Sequence, residues 1–301
     1  MAMITHNGTL GDGGPGGGTP GSGTPGSGTP GSGTPGSGAP GSGTAGSEAV
    51  GRGILGNSPR VTVITGGGRG IGAATAVRLA AAGHDVVINY RTDAAAAEET
   101  ADRVRAAGRR AIIVLGDIAV EADVERLFDR AAELGVVTGL VNNAGITGPL
   151  GRLTDTSAET IRHVVDVNVV GYLLCARRAA QDMTRGSGGV IVNVSSGAAT
   201  TGSPGEYIHY AAAKAAVDTM TLGMAREWGP DGIRVNAVQP GRIWTTIHAD
   251  MGNANRPAEI EGIAPLRRAG QPEEVANAVT WLLSDEASYV TGAVLRVAGG
   301  L

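Results

Sequence analysis

From Arg60 to the C-terminus the chain alternates short β-branched runs with longer alanine-rich stretches, and this alternation leaves few folds open. The runs Arg60–Thr65, Asp85–Tyr90, Ala111–Leu115, Val136–Val141, Val190–Val194, Ile233–Val238 and Ala293–Val297 are largely continuous apolar segments, the pattern of strands covered on both faces. Between them the spacing predicts helices over Gly70–Ala82, Ala94–Ala107, Ala122–Glu133, Ser157–Thr184, Tyr207–Trp228 and Glu273–Leu283. Strands that alternate with helices are joined by right-handed crossovers, which lay helices on both sides of one parallel sheet. The expectation is a doubly wound α/β sheet of about seven strands. Ligands of such sheets bind beyond the carboxyl ends of the strands, so the chemistry is sought just after each run.

The first 57 residues do not share this pattern. They hold three charged residues (Asp12, Glu48, Arg52), few large apolar ones, and a TPGSG unit repeated from Thr19. Proline at every fifth position prevents helix, and Gly-Ser pairs give a flexible coil with no apolar face to stack. Such a stretch cannot bury enough surface to offset an ordering cost of about 1–2 kcal/mol per residue. Residues 1–57 are therefore expected to be a disordered extension, and residues 58–301 the folded domain.

Composition excludes several classes. The single cysteine, Cys175, rules out an intramolecular disulfide and a multi-cysteine metal site, and suits a reducing compartment. No apolar run approaches the roughly 18 residues of a membrane span, and Met1–Leu10 lacks the design of a secretory signal. A net charge of −4 gives no electrostatic reason to expect nucleic acid. The expectation is a cytoplasmic protein with no membrane, nucleic-acid or metal partner.

Gly66, Gly70 and Gly72 stand between the first strand and the first helix in Thr65-Gly66-Gly67-Gly68-Arg69-Gly70-Ile71-Gly72. Glycines there let the backbone approach a pyrophosphate whose charge meets the helix N-terminus, as in Rossmann folds. The cofactor's ribose is read after the second strand, where an acid selects NAD. Here that strand ends Asn89-Tyr90-Arg91 and the first acid is delayed to Asp93. Arginine offers a 2′-phosphate a planar fork of donors, so Arg91, helped by Arg69, points to NADP(H) over NAD(H).

Tyr210 and Lys214 open a later helix one turn apart, and Lys214 is the only lysine of the chain. An i, i+4 pair shares a helix face, so the ammonium is expected to lower the phenol from its ordinary value of about 10 toward the range of a general acid or base. Tyr207 has Ala211 in the corresponding place and is expected to line or pack. His209 is a minor acid/base candidate. The fifth strand runs into Ser195-Ser196, whose hydroxyls could polarise a substrate oxygen. No G-x-S-x-G elbow accompanies them, which disfavours a serine hydrolase.

Taken jointly, these motifs, with Asp117, Asn142-Asn143-Ala144-Gly145, Asn168 in VDVNVVG, Pro240-Gly241 and TGAVLRVAGG, resemble the single-domain branch of the short-chain dehydrogenase/reductase family over Arg60–Leu301. Within that branch the likeness is to 3-oxoacyl carrier-protein reductases and glucose 1-dehydrogenase-like enzymes. The resemblance implies hydride transfer between NADP(H) and a ketone or secondary alcohol. Tyr210 would exchange the proton, Ser196 hold the carbonyl, Lys214 bind the nicotinamide ribose, and Asn168 position a relay water. Gly66, Arg69, Gly70, Ile71, Gly72, Arg91, Asp117, Ile118, Asn143, Ala144 and Gly145 would border the cofactor, as would Tyr210 and Lys214. Pro240, Gly241, Ile243 and Thr245 would cover the nicotinamide.

The resemblance also implies a homo-oligomer, a tetramer rather than a dimer, assembled through the helices at 157–184 and 207–228. Two departures stand out: the serine-to-tyrosine spacing is one residue longer than in many members, and Ala298 replaces a frequent aspartate. Trp244, Ile247, His248 and Met251 are expected to form a lid over a small-molecule substrate. A catalytically silent NADP-binding regulator is the competing reading. A nucleotide-sugar epimerase would need a larger C-terminal substrate domain than follows Pro240.

Overall fold

The computed structural model describes residues 60–186, 188–260 and 262–301. The expected N-terminal extension and its boundary with the catalytic domain lie outside them. The elements run β1 (Arg60–Ile64), α1 (Gly70–Ala81), β2 (His84–Tyr90), α2 (Ala94–Ala106), β3 (Ala111–Leu115), α3 (Glu121–Ala131) and β4 (Val137–Asn142). They continue with α4 (Ala158–Val165), α5 (Gly171–Arg185), β5 (Gly189–Val194), α6 (Ala198–Thr201) and α7 (Ile208–Trp228). Last come β6 (Ile233–Pro240), α8 (Ile247–Asp250), α9 (Pro272–Leu283) and β7 (Val294–Val297). The strands form one seven-stranded sheet in the order β3-β2-β1-β4-β5-β6-β7, with every neighbouring pair parallel.

Alternate residues of each strand enter two separate cores, as the two-residue side-chain period requires. Val61, Val63, Leu140, Ile191 and Val235 pack with α3, α5 and α7, whose contributions include Phe128, Tyr172, Met183 and Val217. Ile64, Ile88, Val141, Val192 and Val238 face the other way, onto α1, α2 and α9 through Leu79, Val104, Val279 and Leu282. Three helices thus cover each face, which is why the strands read as nearly continuous apolar runs.

One expected helix is interrupted. The 157–184 stretch is helical, with Ser157 capping it by accepting from the Thr160 amide at 3.1 Å, but residues Asp166–Val170 widen into a π turn between α4 and α5. The extra residue per turn in such a bulge frees a side chain from the regular helix register, and these bulges concentrate at functional sites. Asn168 sits inside it.

Candidate active site

The carboxyl ends of the strands frame a cleft of about 710 Å³. At one end lies the glycine loop between β1 and α1. Gly66 adopts φ +61°, and a Cβ there would stand 2.9 Å from Ala144 Cα, so the loop and the β4 terminus touch backbone to backbone. Asn143 locks that contact: its Nδ2 donates to the Thr65 and Gly66 carbonyls, both at 3.0 Å. The Thr65 hydroxyl accepts from the Asn143 and Ala144 amides at 2.9 and 3.1 Å. Asn89, at the end of β2, completes the frame by donating to Gly116 O at 2.9 Å and accepting from the Gly66 amide at 3.3 Å. Neither Thr65 nor Asn89 stood out as a site residue in the sequence, because each acts on backbone brought from another strand.

Most of the expected site residues meet on the cleft wall: Gly66, Arg69, Gly70, Ile71, Arg91, Asp117, Ile118, Asn143, Ala144, Gly145, Ser196, Tyr210, Lys214, Pro240, Gly241, Ile243 and Thr245. Gly72 and Asn168 do not line it. A Cβ on Gly72 would lie 2.4 Å from Gly66 O and 2.6 Å from Asn143 Nδ2, so this glycine lets α1 start against the loop instead of touching a ligand. Arg91 is exposed but not isolated, with Nη1 3.6 Å from Asp117 and 3.5 Å from His163 Nε2. Asp93, the first acid after β2, caps α2 by accepting from the Ala96 amide at 3.0 Å.

The middle of the cleft carries the serine, tyrosine and lysine expected to act on a substrate. Tyr210 and Lys214 share one face of α7, both buried, with Lys214 Nζ 5.8 Å from the Tyr210 ring centroid. The ammonium makes its hydrogen bonds elsewhere, to Val194 O at 2.7 Å and the Tyr172 hydroxyl at 3.1 Å, and lies 4.7 Å from the Tyr172 ring centroid. Tyr172, from α5, is a partner that sequence spacing did not disclose. The two serines follow β5 directly, both border the cleft, and they differ in what their hydroxyls meet. Ser195 is buried and its hydroxyl donates to Lys214 O at 3.1 Å, whereas the more open Ser196, whose hydroxyl accepts from the Ala198 amide at 3.2 Å, lies close to the Tyr210 side chain.

The electrostatics correct one expectation. Burial drives the Tyr210 phenol above its ordinary 10, and the neighbouring Tyr207 adds to the rise. What opposes the rise is the Ser196 hydrogen bond and the Arg256 charge, not Lys214. Burial also lowers Lys214 to about 7, against the pull of Asp218, so at neutral pH the amine is charged only part of the time. Desolvation thus outweighs the ion–phenol attraction that the i, i+4 spacing suggested.

Asn168 stands behind this group. Its Nδ2 donates to Ile146 O and Val164 O, each at 2.8 Å, while Oδ1 is buried without a hydrogen-bond partner among the described residues. A Cβ on Gly145 would lie 2.7 Å from that oxygen and 3.5 Å from Lys214 Nζ, so the missing side chain leaves the two polar atoms facing one small space. An acceptor and a donor around a gap are the surroundings that hold a bridging water or a ligand hydroxyl.

Two further candidates resolve differently. His209 is buried off the cleft wall with Nε2 2.8 Å from Thr147 O, a structural contact. Ile247, His248 and Met251 line the cleft, but Trp244 does not, which corrects its assignment to the lid. Ile243 forms an isolated bridge to Gly270 and the Trp244 amide donates to Gly270 O at 3.0 Å, which ties this bent stretch to the Gly270 backbone before α8 begins. Tyr207 lines the cleft and meets Tyr210 edge-on, as expected of a lining residue.

A glycine loop at one end and a serine–tyrosine–lysine group in the middle, joined by one cleft, suit a dinucleotide beside a reactive carbonyl. Residues 66–301 match the family model described as enoyl-(acyl carrier protein) reductase. The chain belongs to the short-chain dehydrogenase/reductase family. It is an oxidoreductase that uses a nicotinamide cofactor. The oxidoreductase YgfF of Escherichia coli K12 is 46% identical over 244 residues, covering 80% of this chain and 99% of that one. The 3beta-hydroxysteroid dehydrogenase 1 of Eggerthella lenta is 41% identical over 247 residues, covering 80% and 93%. A crystal structure of a short-chain dehydrogenase from Burkholderia cenocepacia J2315 in complex with NADP superposes with a TM-score of 0.74 at 36% identity, covering 80% and 97%. Among the described residues no helix is long and apolar enough to cross a membrane.

Proposed function

We propose that the protein is an NADP(H)-dependent dehydrogenase/reductase in which Tyr210 exchanges the proton with a ketone or secondary alcohol. The observation that carries this reading is the convergence of Ser196, Tyr210 and Lys214 on the wall of the cleft that the glycine loop enters. When bound, the cofactor supplies hydride donor or acceptor chemistry at its nicotinamide. The chain's own residues do the rest. The Ser196 hydroxyl donates to the substrate oxygen and holds it against the phenol. In reduction, negative charge grows on that oxygen as the carbonyl becomes an alkoxide, and the Tyr210 O–H gives up its proton there. In oxidation the phenolate takes the proton back.

A phenol held above its ordinary value keeps its proton until an alkoxide, a stronger base, is present. Lys214 and the space beside Asn168 Oδ1 supply a polar route by which the phenolate can be reprotonated. For the 2′-phosphate, the support is that Asp93 is occupied as a helix cap while Arg69 and Arg91 line the cleft. Substrate identity does not follow from kinship, since a relative at 41% identity is named for a steroid.

The test is NADPH oxidation, followed at 340 nm against a panel of ketones. Tyr210→Phe is expected to lower turnover by about 10²–10⁴-fold, the usual worth of a general acid, with NADPH affinity little changed. A Tyr210→Phe enzyme that turns over at the parent rate overturns the assignment.

A further inference from the structure

A buried cation that the proton chemistry above does not use lies beside the same tyrosines. Arg256 follows α8 in the segment that caps the cleft and is only 3% exposed. Nη1 donates to the Tyr207 hydroxyl at 3.0 Å and to Met251 Sδ at 3.3 Å, and Nη2 donates to Glu206 Oε2 at 2.5 Å. Its Cζ is 5.0 Å from the Tyr207 ring centroid. Tyr207 in turn meets Tyr210 edge-to-face, with centroids 5.2 Å apart and planes at 89°.

A guanidinium taken out of water is costly unless it is paired, and the pairing here is asymmetric. Glu206, from the loop before α7, is the counter-ion and remains partly open to solvent. Arg242 approaches the same carboxylate at 4.0 Å and also donates to Arg256 O at 3.3 Å and to Glu259 at 3.4 Å. The capping segment is therefore tied to the α7 entrance through one carboxylate and one tyrosine, the latter edge-on to the reacting phenol. The loop that carries Glu206 also holds Ser203 at φ +44°, an unusual conformation for a residue with a Cβ, on the cleft wall.

We propose that Arg256 is a positioning residue for Tyr210: it clamps the segment after α8 onto Tyr207, sets Tyr207 edge-on to the reacting phenol, and fixes the local field by the balance of its charge against Glu206. The inference rests on Tyr210 being the proton-transferring group. The other polar and charged groups facing the phenol are Ser196 from β5, Tyr172 from α5, and Lys214 on α7 itself with Asp218 behind it. None of these belongs to the capping segment, so changes at Arg256 and Glu206 isolate its contribution.

The decisive feature is a pair of opposite shifts. Oxidation of the alcohol corresponding to the best-reduced ketone of the panel, by saturating NADP⁺, is measured against pH for the full-length parent, Arg256→Met, Arg256→Lys, Glu206→Gln and Tyr210→Phe. In this direction the rate rises with pH as the Tyr210–Lys214 group loses its proton. Arg256→Met removes the cation and is expected to move the rising limb up by about one pH unit, the size of one charge several ångströms away through a partly screened interior. Glu206→Gln leaves the cation unneutralised and is expected to move it down. Arg256→Lys keeps the charge and restores the limb, but loses part of turnover because it cannot reach both Tyr207 and Glu206.

The same order is read without turnover from ¹³Cζ-tyrosine NMR, with the Tyr210 resonance identified by its loss in Tyr210→Phe. Shifts of the same sign for both variants, or no shift in either, overturn the proposal, because a loosened fold alone cannot move the limb both ways. Parent-like turnover by Tyr210→Phe instead overturns the function assignment and is told apart by that variant alone.

Discussion

Lys214 is held where it costs the protein stability, and that cost can be measured. An unfolded chain leaves the amine at its ordinary 10.5, whereas the folded protein lowers it to about 7. The difference corresponds to roughly 5 kcal/mol against folding at pH 7 and below, at about 1.4 kcal/mol per unit. Lys214→Met removes the burden and keeps most of the volume. Val194 O is not stranded by the change, because the Tyr172 hydroxyl already donates to it at 3.1 Å. The lost amine hydrogen bonds offset part of the gain, leaving the variant more stable by about 2–4 kcal/mol at pH 7.

The sign of the pH dependence is fixed. Between 7 and 10.5 the unfolded state binds the proton that the folded state has released, so the parent gains stability as pH rises through this window. The advantage of Lys214→Met therefore falls by about 2 kcal/mol by pH 9 and is lost before 10.5. Urea unfolding followed by the fluorescence of Trp228, Trp244 and Trp281 at pH 7 and pH 9, at one protein concentration, checks it. Under the proposed function the same variant loses turnover. A variant less stable than the parent at pH 7, or an advantage that does not change with pH, refutes the reasoning.

Two other outcomes are expected. Arg91→Asp brings a carboxylate to the place proposed for the 2′-phosphate and adds a like charge beside Asp117, so the ratio of kcat/KM for NADPH over NADH should fall by at least about tenfold; an unchanged ratio rejects the NADP assignment. At the opposite end of the sheet His84 is buried, 2.8 Å from the Thr62 hydroxyl, and burial together with the Arg60 and Arg109 charges lowers it to about 4. A histidine held neutral in the fold stabilises fully above its unfolded value of 6.5 and loses that contribution as pH falls toward 4. Roughly 3 kcal/mol should disappear over this window, and His84→Gln should flatten that part of the acid-unfolding curve.

The strands, the helices and the ends at which chemistry would lie are legible in the sequence because each depends on local periodicity. Seven parallel strands with three helices on either face follow from apolar runs too continuous to leave a face in water. What local pattern could not supply is the partner of each polar group. The 157–184 stretch reads as one regular helix, since nothing in its composition marks the π turn that turns Asn168 toward Gly145 and Lys214. Lys214 reads as a partner for Tyr210 at one helical turn, yet its hydrogen bonds go to a carbonyl and a phenol from β5 and α5, 20 and 42 residues away.

Trp244 fails as a lid residue for a related reason: an apolar residue after a strand can turn either way, and the Gly270 backbone decides which. Arg256 left no signal at all, for among so many arginines a buried one is marked only by contacts made 49 and 50 residues away. The residues legible in the sequence are those whose role is to let backbone approach a ligand, which glycine announces by its own chemistry. The residues that were not are those that hold a neighbour in place, and an arginine, tyrosine or asparagine in that role looks in sequence like any other.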